Sequence, residues 1–182
     1  MYRSPRRAPL VTTRWLSAVM LAVGLATLPL PAQAEPFSIY LVRHAEKQAY
    51  TSAAGGPGLT GCGLQRAQRL AEFLLDVPLA AVYSTDFRRT RETAAPVVDA
   101  TALTLQIYPH DALEPFAAQL KKQGQNALVV GHSNTTGVLA GLLSGDPGAP
   151  FDESEYDRLY QVVVSETGAS AYLYRLASDC GE

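Results

Sequence analysis

The sequence predicts an α/β fold in which helices cover both faces of a mostly parallel sheet. From residue 37 onward, short apolar runs typical of strands alternate with segments whose apolar residues recur at the helical period. This alternation is typical of parallel sheets, because the chain returns through a helix before each new strand. The last two runs are joined by a short turn, which favours an antiparallel edge. We therefore expect a three-layer α/β/α sandwich, formed as one domain by residues 35–182.

The first half of this domain has two predicted strands and two predicted helices. The apolar run 37–42 predicts the first strand, and Thr60 is a suitable N-cap for a helix with apolar residues at helical spacing. The run 79–83 predicts the second strand. A helix follows from about Asp86, and we expect Pro96 to kink or end it.

The second half repeats the pattern. The run 103–108 predicts the third strand, after which Asp111 is expected to cap a helix that ends at Gly124. The wholly apolar run 127–130 predicts a buried fourth strand, followed by a helix over 134–143.

The chain then changes character and closes with two strands. Residues 144–157 are rich in Gly, Pro and acidic residues, which predicts a loop. The runs 159–164 and 171–176 predict strands that form a hairpin through a turn at 166–168.

Residues 1–34 have the three-part pattern of a secretory signal peptide. The segment begins with arginines and no acidic residue, continues as an apolar run at 15–30, and ends with small residues at Ala32 and Ala34. The apolar run has about 16 residues, fewer than the roughly 20 that span a bilayer, so an uncleaved anchor is the less favoured alternative. We expect cleavage near Ala34 and a periplasmic or secreted protein with no stable membrane insertion.

Export also bears on the two cysteines, Cys62 and Cys180. In an oxidising compartment two leftover thiols tend to pair, so a Cys62–Cys180 disulfide is one expectation. Two separate small residues are the alternative, because the sequence does not place them in space.

The charge distribution argues against nucleic acid as a partner. Of 15 basic residues, four lie in residues 1–34, whereas all 17 acidic residues lie beyond that segment. The predicted domain is therefore clearly acidic, which excludes a general attraction to DNA or anionic lipid.

Polar side chains follow three of the predicted strands. Arg43 and His44 come directly after the first strand, Arg89 follows the second, and His132 and Ser133 follow the fourth. Because the carboxyl ends of parallel strands meet at one edge of a sheet, we expect these side chains to converge there.

This set of side chains suits phosphoryl transfer. Arginine donates paired N–H groups to phosphate oxygens and keeps its charge. A neutral histidine has a lone pair that can attack phosphorus, and nearby guanidinium charge favours that neutral form. A second histidine can donate to the transferring group. Adjacent arginines disfavour a metal site built from His44, His132 and Asp111, so we expect no metal and no cofactor.

Four segments resemble motifs of the histidine phosphatase superfamily, which has the phosphoglycerate mutase-like fold. Residues 43–45 resemble its Arg-His-Gly signature, and residues 59–67 its Leu-Thr-x-x-Gly-x-x-Gln-Ala segment with a shifted glycine spacing. Residues 83–94 are similar to its Ser-x-x-x-x-Arg-Ala-x-x-Thr-Ala element, and residues 129–134 to its Val-Gly-His motif. The segments occur in the family's order.

The resemblance implies a role for each matching side chain. His44 would be the nucleophile that becomes phosphorylated, and Arg43 and Arg89 would clamp the phosphate. His132 would complete the pocket, with Ser133 as a further donor.

The chain also departs from the family's pattern. Ala45 stands where the family has glycine, a change that is tolerated if φ there is negative. Arg88 is the fallback for Arg89. The family's longer insertion, which bears its acidic proton donor, is absent, and this implies an open pocket.

The proton donor is therefore left open. Asp111, just after the third strand, is the first candidate, and Glu114 and Glu46 are the alternatives. A site with no donor would suit substrates with a good leaving group. His110 has no motif partner and is expected at the surface, and the acidic stretch 152–157 is expected to be a solvated loop.

The sequence thus predicts an exported phosphatase that hydrolyses a phosphomonoester through a phosphohistidine on His44. An open pocket would admit a phosphorylated small molecule or a phosphate on an envelope sugar or protein. One alternative is a catalytically weak phosphate-binding or envelope interaction module on the same fold. Another is a phosphohistidine-protein phosphatase of a signalling relay. A glycolytic mutase is disfavoured, because export would remove the chain from its substrate.

Overall fold

The computed structural model describes residues 35–50, 52 and 54–177, which form a six-stranded sheet with two helices on each face. The strands are β1 (Phe37–Arg43), β2 (Ala81–Ser84), β3 (Leu105–Ile107), β4 (Ala127–Gly131), β5 (Arg158–Ser165) and β6 (Gly168–Arg175). The helices are α1 (Gly61–Phe73), α2 (Arg88–Thr101), α3 (Leu113–Gln123) and α4 (Thr136–Ser144). The predicted signal peptide and Cys180 lie outside the described residues, so the cleavage and the disulfide stay predictions.

The sheet has the strand order β3-β2-β4-β1-β5-β6. The first four of these strands pair in parallel, whereas β5 pairs antiparallel with both β1 and β6. The predicted α/β/α fold with a mostly parallel sheet and an antiparallel edge is confirmed. All three strands that precede the predicted site, β1, β2 and β4, are neighbours at its centre.

The core is divided by the sheet into two layers. Leu70 and Leu74 of α1 and Val97 of α2 pack with Val82 and Val130 against one face. The other face is covered by α3 and α4, whose buried members include Phe116, Leu120, Leu139 and Leu143. The central strand β4 is buried along its whole length, as its uninterrupted apolar sequence predicts.

Two helix ends agree with the sequence prediction. The side chain of Thr60 accepts a hydrogen bond from Gly63 N at 3.1 Å and so caps α1. Gly124 ends α3 in the left-handed conformation, with φ of 62°.

The prediction for Asp111 as a helix cap is wrong. The residue at the start of α3 is Ala112, and its side chain makes no capping hydrogen bond. The expected break at Pro96 lies in the interior of α2, which continues to Thr101. A helix tolerates proline there only because packing of its buried face offsets the lost hydrogen bond.

No helix within residues 35–50, 52 and 54–177 has the length and apolarity that a membrane crossing needs.

Candidate active site

The register of the central strands places the two predicted histidines side by side. Arg43 of β1 is opposite Gly131 of β4, so the next residues, His44 and His132, leave neighbouring strands at the same edge. His44 N donates to Gly131 O at 2.9 Å, which extends the ladder by one residue. The centres of the two imidazole rings are 5.5 Å apart. The strand pairing therefore brings the two histidine side chains together, as the sequence predicts.

Glycine is needed at position 131 because two side-chain oxygens approach its backbone closely. A Cβ atom on Gly131 would lie 2.8 Å from Tyr108 Oη and 2.9 Å from Thr135 Oγ1. The same threonine oxygen accepts a hydrogen bond from His132 N at 3.0 Å. His132 O in turn accepts from Thr136 N at 2.9 Å, which ties the strand end to the start of α4. The motif residues thus set the position of the second histidine.

These strand ends surround a cavity of about 300 Å³. Its lining includes all five residues predicted to bind phosphate, namely Arg43, His44, Arg89, His132 and Ser133. Both histidines and Arg43 are buried apart from the surface that they present to this cavity.

His44 has the tautomer and protonation state of a nucleophile. Its Nδ1 lies 2.8 Å from Ala45 O, and because a carbonyl only accepts, Nδ1 carries the ring hydrogen. The lone pair is then on Nε2. Burial, and after it the charges of Arg43 and Arg89, lower the pKa of His44 to about 3, against the opposing effect of the bond to Ala45 O.

His132 is oriented by two buried threonines. The hydroxyl of Thr90 donates its hydrogen to Thr85 O at 2.9 Å. The same hydroxyl oxygen therefore acts as the acceptor for Thr85 Oγ1, which lies 3.0 Å away. With its hydrogen used in this way, Thr85 Oγ1 accepts from His132 Nε2 at 2.9 Å. Burial, followed by the charges of Arg89 and neighbouring groups, lowers the pKa of His132 to about 4. Nδ1 is then the ring nitrogen that takes up a proton when an anion arrives.

The two predicted phosphate arginines are held by aromatic rings. The guanidinium of Arg43 lies 4.2 Å from the ring centre of Tyr156, and that of Arg89 lies 4.4 Å from the ring centre of Phe87. Burial lowers the pKa of each guanidinium, though both keep their charge because arginine titrates far above neutral pH. Within the described part of the chain, Nε of each is buried without an acceptor, as expected of donors that await an oxyanion.

Arg43 is also anchored by a loop far away in sequence. Its Nη1 donates to Glu153 O, and Glu155 O lies 3.4 Å from the same nitrogen. The loop is in turn fixed to the site, because Phe151 N donates to Ser133 O at 3.1 Å. The side chains at 152–154 are exposed, as the sequence predicts, but Glu153 also lines the cavity, so the loop forms part of the site's wall as well.

Ala45 fits the place where the family has glycine. Among the non-glycine residues that the structure describes, only Ala102 has a positive φ. The φ of Ala45 is therefore not positive, which is the condition under which alanine can stand in place of the family's glycine. Its N–H donates to Thr93 Oγ1 at 2.9 Å, and that hydroxyl donates to Arg89 O at 2.8 Å. These bonds connect the strand that bears the nucleophile to the helix that bears the arginine.

The carboxyl candidates for proton donor do not reach the cavity. Asp111 is exposed and lines a neighbouring cavity instead. Glu46 is held in an ion pair with Arg66, with Oε1 2.6 Å from Nη2. Glu114 lies in the first turn of α3 and is exposed.

Four residues that the motifs did not predict complete the lining, namely Phe87, His110, Asn134 and Glu153. His110 is exposed, as the sequence predicts, but its ring borders the cavity 6.0 Å from that of His132. The sequence signal for His110 is its place after the third predicted strand, a position that it shares with Asp111. Glu153 had no such signal, because the loop's approach to Arg43 is a contact between residues 110 positions apart.

The arginine beside Arg89 has a different role. The Nε of Arg88 lies 2.7 Å from Glu92 Oε1, and its side chain is half exposed. Arg88 is also outside the lining of the cavity, whereas Arg89 is part of it.

No group of three or more histidine, cysteine, aspartate and glutamate side chains in the described residues is arranged to hold a metal ion. The histidines instead share their cavity with two guanidinium groups, which disfavour a cation there.

The family comparison agrees with this site. The model of the histidine phosphatase superfamily (branch 1) matches residues 39–114, the span that includes most of β1 together with His44 and Arg89. This part of the chain is thus similar to the histidine phosphatase superfamily. With this similarity and the side chains of the cavity, the chain is a phosphatase enzyme.

Solved structures of this superfamily share the fold. The protein histidine phosphatase SixA, solved with tungstate, is 18% identical, with a TM-score of 0.66 over 76% of this chain and 96% of its own. Alpha-ribazole phosphatase from Shigella flexneri is 21% identical, with a TM-score of 0.62 over 76% and 96%. A mycobacterial glucosyl-3-phosphoglycerate phosphatase is 14% identical, with a TM-score of 0.58 over 78% and 99%. No curated protein matches by sequence. At these identities the likeness is one of fold.

Proposed function

We propose that this chain is an exported phosphatase that hydrolyses a phosphomonoester through a phosphohistidine on His44. The observation on which this depends is the state of His44. Its hydrogen is held on Nδ1 by Ala45 O, so Nε2 is a neutral nucleophile in a cavity that it shares with two guanidinium groups.

The phosphoryl group is recognised by charge. Arg43 and Arg89 present buried Nε–H groups without acceptors among the described residues, and a phosphate dianion supplies oxygens for both. Ser133 and Asn134, which precede α4 and line the same cavity, add neutral donors at this edge. Because these donors are fixed before the substrate binds, they stabilise the charge that develops in the transition state without reorganisation.

Transfer then takes place in two displacements. Nε2 of His44 forms a bond to phosphorus while the ester bond breaks, and the electron pair leaves with the alcohol oxygen. Water next attacks phosphorus, the P–N bond breaks, and its electron pair returns to Nε2. His132 takes up a proton from solvent on Nδ1 when the anion binds and keeps it through both steps. Its Nδ1–H donates a hydrogen bond to the transferring group, while Thr85 holds the ring at Nε2.

Export and an open site suggest where the substrate comes from. The signal pattern in residues 1–34 supports export of the mature chain to the periplasm or out of the cell. The cavity is shallow and borders solvent through the exposed His110 and Glu153, which supports a phosphate on a small molecule or on an envelope sugar or protein.

The first experiment tests turnover and the intermediate together. The protein is expressed from its full coding sequence and assayed with p-nitrophenyl phosphate beside the variants H44A and R88K. We expect hydrolysis in the parent and in R88K, and none above background in H44A. Parent protein that binds orthophosphate but does not turn over would instead favour a phosphate-binding module. Equal hydrolysis by H44A would reject His44 as the nucleophile.

Localisation has its own test. We expect the mature protein to be recovered from the periplasm or medium with an N-terminus near Glu35. Recovery from the cytoplasm with residues 1–34 intact would contradict export and would favour the signalling relay.

A further inference from the structure

A second cavity adjoins the phosphate site beyond the end of β3. It has a volume of about 420 Å³ and is formed by residues 107–111 together with Asp86 and Phe87. Phe87 and His110 line both cavities, so these two side chains mark the border between them. Much of the wall is apolar and includes Ile107, whose side chain is about half exposed.

The border is where the scissile bond of a phosphomonoester belongs. The phosphoryl group is held in the first cavity by Arg43, Arg89 and the histidines, and the leaving group must extend beyond it. The second cavity shares Phe87 and His110 with the first and therefore lies next to it at this wall. The oxygen that bridges phosphorus and the leaving group then lies beside Phe87 and His110. Of these two side chains, only the imidazole has a proton to give.

The position of His110 suits a proton donor. Its ring is 5.7 Å from that of Phe87 and stands perpendicular to that of His132 at 6.0 Å. A phosphate dianion in the first cavity favours the cationic form of a neighbouring imidazole. Because His110 is exposed, it can regain a proton from solvent after each turnover.

The carboxylates near the border are less suited. Glu153 lines the phosphate cavity but not the second cavity, so it does not stand at the border where the bridging oxygen lies. Asp111 lines only the second cavity and therefore faces the leaving group rather than the bridging oxygen.

We propose that the second cavity binds the leaving group and that His110 protonates the oxygen of the departing alcohol. The inference rests on the proposed function and names its proton donor and leaving-group site. The alcohol expected here has an apolar ring or carbon face next to the ester oxygen. Hydroxyl groups further out would find an acceptor in the carboxylate of Asp111.

The proton balance is complete over one turnover. As the bond from phosphorus to the ester oxygen breaks, that oxygen keeps the electron pair and takes a proton from the imidazolium of His110. His110 is then neutral. When water attacks the phosphohistidine, His110 takes a proton from it, and the P–N bond breaks to release orthophosphate. The enzyme returns to its starting state without a metal or another reactant.

The test compares two leaving groups in the full-chain protein. p-Nitrophenyl phosphate leaves readily without protonation, whereas 2-phenylethyl phosphate leaves as an alkoxide that needs a proton. We expect H110Q to hydrolyse the aryl ester within a few-fold of the parent and the alkyl ester roughly 10²–10⁴-fold more slowly. D146N removes a charge from the loop before β5, outside the site, and is the matched control with both rates near the parent's.

Several outcomes would overturn the proposal. Equal losses on both esters in H110Q would show that His110 is not the donor, and so would a parent that hydrolyses only the aryl ester. Selective loss of the alkyl ester in D111N or E153Q, with H110Q active, would assign the donor elsewhere. Failure of the proposed function differs from all of these, because H44A would then keep its activity on both esters.

A separate variant tests the leaving-group cavity. We expect I107S to raise KM for 2-phenylethyl phosphate about tenfold while inhibition by orthophosphate stays unchanged, because orthophosphate occupies only the first cavity. An unchanged KM, or an equal loss of orthophosphate affinity, would contradict the assignment of this cavity.

Discussion

Acidification is expected to destabilise this protein through its two site histidines. In the folded chain burial and neighbouring positive charge lower the pKa of His44 to about 3 and of His132 to about 4. In the unfolded chain both would titrate near the ordinary value of about 6.5. Below that value the unfolded state binds more protons than the folded state, so the free energy of unfolding falls as pH falls. The contribution is fully present above pH 6.5 and is lost progressively toward pH 3.

The size of this effect follows from the difference between folded and unfolded pKa. One pKa unit corresponds to about 1.4 kcal/mol. Between pH 6.5 and pH 4.5 both histidines stay largely neutral in the fold while the unfolded imidazoles become charged. Each histidine then costs about 2.5 kcal/mol of stability over these two pH units. Both side chains are nearly inaccessible to solvent, so little of this is screened.

The measurement is urea unfolding of the parent and of H44Q at pH 6.5 and pH 4.5. Carboxylates also titrate in this range, but their contribution is common to both proteins and cancels in the difference. We expect H44Q to lose about 2.5 kcal/mol less than the parent on acidification. R88K, which keeps its positive charge and lies outside the cavity, is the control and should lose as much as the parent.

Equal losses in the parent and in H44Q would refute the reasoning. They would mean that the imidazole at position 44 is as accessible to protons in the folded protein as in the unfolded chain. Its neutral, nucleophilic state would then need another explanation.

Three further substitutions test separate parts of the site and fold. R89K should lower kcat/KM roughly 10- to 10³-fold, because lysine cannot make paired hydrogen bonds to phosphate. R88K should match the parent, and equal effects of the two substitutions would reject Arg89 as the phosphate-binding arginine. T85V should lower kcat roughly 10- to 100-fold, because the imidazole of His132 loses its hydrogen-bond acceptor. Circular dichroism should show little change in fold, and an unchanged kcat would reject the role of Thr85 in orienting His132. G63A should lower the free energy of unfolding by about 1–3 kcal/mol, because its Cβ would overlap with the backbone oxygen of Glu46. A Cβ at position 61 would meet no atom, so G61A should not destabilise the fold. Equal stability of these two glycine variants in urea unfolding would contradict the packing.

The sequence predicted those parts of the fold that local patterns determine. The wholly apolar run 127–130 required burial on both faces, and the structure places it at the centre of the sheet. Because the strand ends of a parallel sheet meet at one edge, the positions of His44 and His132 followed from the motifs alone. Thr60 was identifiable as a cap because its side chain suits the first turn of a helix.

The proton donor was not predictable in the same way. The choice between His110 and Asp111 depends on the turn after β3, where Tyr108 is buried and stacks on Phe116 with ring centres 4.2 Å apart. That packing fixes the path of the next residues, and Ala112 N bonds back to Pro109 O at 3.4 Å. Position along the strand could not reveal which of the two side chains borders the phosphate cavity.

The loop before β5 was missed for a different reason. Its acidic composition is typical of a solvated segment, and no local pattern marks it as part of a site. Its place is fixed by long-range contacts, in which carbonyl oxygens of Glu153 and Glu155 bind Arg43 and the ring of Tyr156 covers the same guanidinium. Backbone acceptors carry no side-chain signature, so such contacts are invisible to a reading of composition.

The central claim is that phosphorus becomes bonded to His44, and trapping that bond tests it most directly. The full-chain protein is mixed with ³²P-labelled substrate, quenched within milliseconds and digested for peptide mass spectrometry. We predict an acid-labile, base-stable label on the peptide that contains His44, and no label in H44A. Rapid turnover without any labelled histidine, or a label on another residue, would contradict the account.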